Sequence, residues 1–361
     1  MLIEKTEDLR KVVDKALKAE AVALDTEFVW ERTFYPDLGL IQLGIERECY
    51  LIDPLAVEDM SAFGELLSSP HVTKILHDAL QDLTILKRAA GAAPVKIFDT
   101  RAAYGFCSDS SILSLAALIE KTIGIELSKS ETRTNWLQRP LTSDQIDYAC
   151  DDVKYMCEIR RLTIEKCREN GTLTWLEEDM SRYDNPDIYL EVDPMDYFRK
   201  IKGANRLKAD QLAVLQHLAA WREETAREKN RPRGHILHNN ALLDLSWKTP
   251  EALFELKKIS KMHPNAIDKY GETILKIIKN ALNQPGSKYP EVLDTRFNKK
   301  LSERTDAALE KINEKAVTIN IDPALLCNKK ELRAFLESNC TDVSSPLGSG
   351  WRQEFISDLD L

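Results

Sequence analysis

Residues 21–30 read AVALDTEFVW, an apolar run of the kind that forms a buried strand, followed at once by two carboxylates, Asp25 and Glu27. Burying charge is costly unless it is paired or holds a metal, so this stretch constrains the surrounding fold more than any other. Side chains alternate along an extended strand, and residues two apart share a face. Asp25 and Glu27 therefore project together and offer a platform for a hard cation such as magnesium. The plain alternative is a strand end emerging into solvent with both carboxylates hydrated.

The neighbouring sequence supplies a sheet for that strand. Thr6 is placed to cap a helix with Leu9, Val12, Val13, Ala16 and Leu17 on its apolar face. LGLIQLGI and CYLIDPL read as further strands. A short helix is expected around 60–67, then a strand at VTKILHD and an amphipathic helix through LQDLTILKRAA that stops at Gly91. Alternation continues to about residue 170, which implies an α/β domain around a mixed sheet. The acidic stretch EEDMSRYDNPDIYLEVDPMD, broken by Pro186 and Pro194, reads as a linker, and from about 206 onward the pattern is helical.

At 361 residues the chain is long enough for two or three domains. No apolar run approaches a membrane span, and the charged opening MLIEKTEDLRK is unlike a signal peptide, so a cytoplasmic protein with no membrane partner is expected. Seven cysteines without a CxxC pair imply neither a disulfide framework nor a zinc site. The net charge of −9 is unevenly spread: residues 201–290 hold 16 Lys+Arg against 9 Asp+Glu, a balance of +7, leaving −16 for the rest. An acidic part that gathers carboxylates and a basic part that holds phosphates suit a metal-dependent enzyme acting on a polyanion.

Two further helices add carboxylates. In YACDDVKY, Tyr148 and Asp152 are four apart and share a helix face. Asp151 lies near that face too, and spacing does not choose between the aspartates. In HDALQDLTIL, Leu76, Leu80, Leu83 and Leu86 form an apolar stripe, while Asp78 and Asp82 share a neighbouring face, either one a candidate.

In that order and at those separations, DTEF, HDALQDL and KSETRTNWLQRPLTSDQIDYACDDVKY resemble the three exonuclease motifs of the DEDD superfamily, in its tyrosine-bearing branch. YPDLGLIQL, SKSETRTNWLQRPL and the Y-x-x-x-D spacing are similar to the ribonuclease D family within it. The DQLAVLQHLAAWREETAREKNRPRGHIL region resembles a helicase-and-RNase-D C-terminal (HRDC) domain, and 290–361 a more divergent second copy. The resemblance implies an RNase H-like exonuclease domain, a mixed sheet flanked by helices, over 1–175. A linker over 176–205 and all-α HRDC domains over 206–288 and 289–361 would follow.

The same resemblance makes Asp25, Glu27, Asp82 and Asp152 the metal carboxylates and Tyr148 the fifth catalytic residue, preferring Asp82 to Asp78 and Asp152 to Asp151. It implies two divalent cations, Mg2+ or Mn2+, and hydrolysis of RNA from a free 3′ end to nucleoside 5′-monophosphates, with tRNA precursors as the expected substrate. Candidate RNA contacts are Phe28, His77, Lys129, Trp136 and Arg139, with Arg231 and Arg233 in the densest basic run. The competing readings are a DNA exonuclease of the same superfamily and a non-catalytic RNA-binding scaffold. No GxxxxGK[ST] or GxGxxG loop is present to suggest a helicase motor or a dinucleotide enzyme.

Overall fold

The apolar runs of the first half form a six-stranded mixed sheet among the residues described, which in this computed structural model are 1–127, 134–292, 299–338 and 340–359. Its strands are β1 (Leu2–Ile3), β2 (Ala21–Val29), β3 (Asp37–Ile45), β4 (Glu48–Ile52), β5 (Thr73–Leu76) and β6 (Ile97–Asp99), in the order β1-β4-β3-β2-β5-β6. β3 and β4 run antiparallel, whereas β1 with β4, β2 with β5 and β5 with β6 run parallel. Val22, Ala23 and Leu24 of β2 are all fully buried, as a central strand covered on both faces requires.

Helices flank the sheet: α1 (Thr6–Ala16), α2 (Ser61–Leu67), α3 (Leu80–Ala90), α4 (Thr100–Gly105), α5 (Leu115–Ile123), α6 (Ser143–Lys154), α7 (Met156–Asn170) and α8 (Leu173–Ser181). α1 buries Leu9, Val12, Val13 and Ala16, but Lys5 rather than Thr6 occupies its cap position. α3 ends where Gly91 takes a left-handed φ of 66°, which a residue without a Cβ adopts freely. Leu80, expected in the buried stripe of α3, is exposed because the helix begins there and its core-facing side starts at Leu83.

The chain divides into two units, one of Met1–Val29, Leu38–Tyr189 and Asn298–Leu361, the other of Trp30–Asp37 with Leu190–Phe297. This corrects two expectations. The stretch 176–205 is no open linker: α8 and the 3-10 turns Arg182–Asp184 and Pro186–Tyr189 belong to the first unit, and the turn Pro194–Lys200 to the second. The segment after residue 298 is helical, yet it is not a separate domain, because it shares the hydrophobic core of the sheet unit.

The second unit contains α9 (Ala209–Glu228), α10 (Arg233–Ile236), α11 (Asn239–Lys248), α12 (Leu253–Leu256) and α13 (Pro264–Asn283), packed around Leu212, Leu215, Leu218, Leu242, Leu245, Ile274 and Ile278. The last helices of the first unit are α14 (Lys299–Thr318), α15 (Lys329–Glu337) and α16 (Gly350–Ile356). Among the described residues no helix is long and apolar enough to cross a membrane.

A further correction concerns Cys49 and Cys150, which form a disulfide with Cα atoms 5.5 Å apart. α6 packs over β4 and brings together two cysteines 101 positions apart, a pairing that no local spacing announces.

Trp351 of α16 is 1% exposed, stacks on Trp175 with ring centroids 5.9 Å apart and meets Phe106 edge-on at 5.0 Å. Because that pocket belongs to the sheet unit, Trp351→Ala should cost about 3–5 kcal/mol of the sheet unit's own stability. Thermal melts followed by a probe in the sheet will read this. A sheet transition that does not move would mean that the C-terminal helices form an independent body.

Candidate active site

The carboxyl ends of the parallel strands carry the polar residues. Register pairs Ala23 with Ile75 and Ile75 with Phe98, so Asp25, the β5–α3 turn at His77 and Asp99 arrive at one edge of the sheet. Such an edge is where open α/β sheets bind ligands. Asp25 and Glu27 extend from β2, and Asp152 reaches the same point from α6; one oxygen of each lies within 4.8 Å of the others. Asp82 enters from the first turn of α3 and accepts a hydrogen bond from Thr26 Oγ1, the residue between the two β2 carboxylates.

α6 is set by a reciprocal cap: Thr142 Oγ1 accepts from Gln145 N–H at 3.2 Å, and Gln145 Oε1 accepts from Thr142 N–H at 3.0 Å. Its close approach to the sheet depends on glycine. A Cβ on Gly44 would lie 2.9 Å from the Val153 carbonyl oxygen, and one on Gly39 2.6 Å from that of Trp136. The geometry separates both pairs that spacing leaves open. Asp78 is exposed and ion-paired with Arg101, and Asp151 faces Lys154 at 3.7 Å, whereas Asp82 and Asp152 point inward.

None of the ion pairs among the described residues reaches the four inward carboxylates. Burial, reinforced by the neighbouring Asp82, Asp152 and Glu27, pushes Asp25 far above the ordinary carboxylate range. Burial, with Asp152 and Asp82 beside it, pushes Glu27 up to about 8. Burial likewise raises Asp152 to about 7, against the opposing bond from Tyr148, and Asp82 to about 6, against that from Thr26. Burial first, then Asp152, Glu27 and Asp25, raises the Tyr148 phenol, so its proton stays in place at neutral pH. A concentrated, uncompensated set of hard oxygen donors fits divalent cations.

Most of the other candidates are committed within the fold. Arg139 Nε and Nη2 donate to both oxygens of Asp53, 3% exposed, at 2.6 and 2.7 Å. Its remaining donors go to the carbonyls of Gly39, Trp136 and Gln138. It therefore clamps the 136–139 turn to the sheet. Trp136 is buried and backs the Tyr148 ring at a centroid distance of 6.1 Å. His77, its pKa lowered by burial, donates from Nε2 to the Leu113 carbonyl at 3.0 Å, and its Nδ1 lies 2.9 Å from Thr100 Oγ1.

Arg233 binds the buried Glu223 at 2.5 and 2.7 Å and lies over the rings of Phe34 and Tyr197. Phe28 is half-buried beside Glu27, Arg231 is exposed, and Lys129 lies outside the described residues. Asp53, Asp99, Thr26 and Tyr183 escape a sequence reading. Only the strand-end FDT at 98–100, which repeats the apolar-Asp-Thr order of LDT at 24–26, could have signalled one of them.

Comparison with known proteins places this geometry. Residues 1–162 match the 3′–5′ exonuclease family and 211–278 the HRDC domain. Ribonuclease D of Desulfotalea psychrophila is 42% identical over 99% of this chain and 96% of its own. The chain belongs to the ribonuclease D family. The crystal structure of Escherichia coli RNase D, an exoribonuclease involved in structured RNA processing, superposes with a TM-score of 0.92 at 30% identity over 99% of this chain and 96% of that one. The catalytic core of RRP6 from Trypanosoma brucei shares the fold at a TM-score of 0.59 and 22% identity over 80% of each chain. This ribonuclease D-family chain is a 3′–5′ exoribonuclease, with a mixed-sheet exonuclease domain ahead of its HRDC domain.

The raised carboxylates set a pH dependence. Each binds its proton more tightly folded than unfolded, so metal-free protein should lose stability as pH rises from the ordinary carboxylate range through the folded values of about 6, 7 and 8. Cations held by the cluster would remove that penalty. Melting temperatures with chelator and with magnesium should therefore diverge as pH climbs from about 5 to about 8. A gap that stays constant would disqualify the cluster as the metal site.

Proposed function

We propose that the chain trims RNA from a free 3′ end by two-metal-ion hydrolysis, releasing nucleoside 5′-monophosphates, and acts in tRNA 3′ maturation. The observation that carries the reading is the convergence of Asp25, Glu27 and Asp152, with Asp82 beside them and, among the described residues, no ion pair to any of the four. Asp25, Glu27 and Asp152 would hold one divalent cation; Asp25 and Asp82 would hold the other. When bound, such a pair supplies positive charge to the phosphate and the departing 3′ oxygen and lowers the pKa of the attacking water.

The residues of the chain do the rest. Tyr148, kept protonated by burial and by three neighbouring carboxylates, orients the attacking water by hydrogen bond and is no general base. Trp136 and the Arg139–Asp53 pair hold its ring and the preceding turn, so the phenol does not swing when substrate arrives. Phe28, next to Glu27 and half-buried, is placed to stack on a terminal base. In the HRDC unit the exposed lysines 257, 258, 261 and 269, around the exposed ring of Phe254, suit phosphate contact better than the arginine run does.

Asp25→Asn should reduce magnesium-dependent hydrolysis of a 3′-labelled RNA to a trace with the fold intact, since it deletes a charge common to both cation positions at constant volume. Asp78→Asn, at an exposed position, should retain most of the rate. A comparable loss in both variants would reject the assignment.

Tyr148→Phe should slow turnover while leaving RNA affinity within about two-fold, because the ring stays and only the hydroxyl goes. Weaker binding at constant turnover would make the ring a stacking surface.

A further inference from the structure

We propose that Asp99 and Tyr183 are positioning residues for Asp82: together they fix the turn from which Asp82 is presented to Asp25. The proposal rests on Asp82 being a metal carboxylate, as proposed above.

The chain leaves β5 at Leu76 and enters α3 at Leu80 through a tight turn in which Asp78 has φ 60°, a conformation unfavourable for a residue with a Cβ. Asp99, at the end of the neighbouring β6, holds that turn. Its Oδ1 accepts the Asp78 N–H and its Oδ2 the Ala79 N–H, each at 3.0 Å. Ala79 is the cap residue of α3, and its carbonyl accepts from Leu83 N–H at 2.9 Å, so the two bonds set both the place and the direction of the first helical turn. Asp82 lies in that turn. A helix turn moves as a body, and displacement at 78–79 would carry the Asp82 carboxylate away from Thr26 and Asp25.

Asp99 is itself constrained. It is 3% exposed, accepts the Arg101 N–H at 2.9 Å, and receives the Tyr183 hydroxyl on Oδ2 at 2.7 Å. Tyr183, 3% exposed, accepts in turn from Arg182 Nη2 at 3.0 Å. The far end is tied to the C-terminal helices. The Glu178 carboxylate accepts the Trp351 N–H at 3.0 Å, and Asp179 accepts from Arg352 Nη2 at 2.9 Å and Trp351 Nε1 at 3.3 Å. Tyr183 thus fills a role that simple hydrophobic packing would not need: its hydroxyl holds the carboxylate that holds the metal-site turn.

The test is Mn2+ binding without RNA, by calorimetry, alongside RNA hydrolysis across a Mn2+ series, for the unaltered protein, Asp82→Asn, Tyr183→Phe and Asp99→Asn. Asp82→Asn should abolish the weaker Mn2+ site. Tyr183→Phe and Asp99→Asn should weaken that site by about ten-fold, the usual effect of removing a group that orients a ligand. Both should lower kcat at limiting metal, leave KM for RNA within about two-fold, and recover rate with excess Mn2+, which Asp82→Asn should not.

Tyr183→Phe keeps the ring and its packing, so a weakened site in that variant supports the proposal even where Asp99→Asn fails to fold. Unchanged isotherms in the folded variants, whatever their melting temperatures, would overturn it and leave Asp99 and Tyr183 as fold supports. An unchanged isotherm in Asp82→Asn would overturn both the metal role of Asp82 and the positioning built on it.

Discussion

The joint burial of Asp25, Glu27, Asp82 and Asp152 is the constraint on which the rest of the structure depends. Four carboxylates buried at one end of a sheet, with no lysine or arginine paired to them among the described residues, hold their protons abnormally tightly, first because burial penalises their charge and then because like charges lie close by. An arginine in their midst would relieve that strain permanently and leave a neutral, inert knot. Leaving the charge uncompensated keeps the site able to take up cations. The cost is that the fold must hold the carboxylates together without help from their own attraction.

The polar interior of the first unit reads as the answer to that demand. Asp25 and Glu27 are fixed by a strand buried at Val22, Ala23 and Leu24, Asp152 by a capped helix lying close over Gly44, and Asp82 by a turn bonded to Asp99. Arg139 spends its donors on Asp53 and three carbonyls, and so joins β3, β4 and the approach to α6. Carboxylates that must be held together without attraction of their own need rigid elements and a hydrogen-bonded supporting layer. The C-terminal helices belong to that layer, which is why they share the core of the sheet unit.

The sheet, most of its helices and the carboxylate motifs that converge at its end were legible because they follow period and order. The run VALDTEF marks a buried strand that ends in charge, and Tyr148 and Asp152 sit at helical spacing. The choice between Asp78 and Asp82 was not legible from spacing, since both fall on one face; it turns on Arg101, 23 residues downstream in sequence, which pairs with Asp78. The same limit explains the candidate RNA contacts. An arginine bound bidentately to a buried aspartate and one waiting for phosphate have the same letter, and only the fold reveals Asp53 beside Arg139 and Glu223 beside Arg233. The Cys49–Cys150 pairing and the allegiance of residues 299–359 are likewise set by contacts more than a hundred positions apart.

Formal charge is a poor guide to available charge for the same reason. The +7 balance of residues 201–290 counts every arginine equally. Yet Arg222 is buried against the Leu237 carbonyl and Asn239, while Arg227 and Arg233 converge on Glu223, itself fully buried. Burying that glutamate without two guanidinium partners would be prohibitive, so the arginines belong to it structurally. Asn230, in the middle of the run, accepts the N–H groups of Phe34 and Tyr35 at 3.0 and 3.1 Å. The densest basic stretch of the chain is therefore the internal brace of the 30–37 loop, the segment that follows the β2 carboxylates in sequence. The exposed lysines lie instead on α13 and in the turn between α12 and α13, where long flexible stems and full hydration would suit contact with a polyanion.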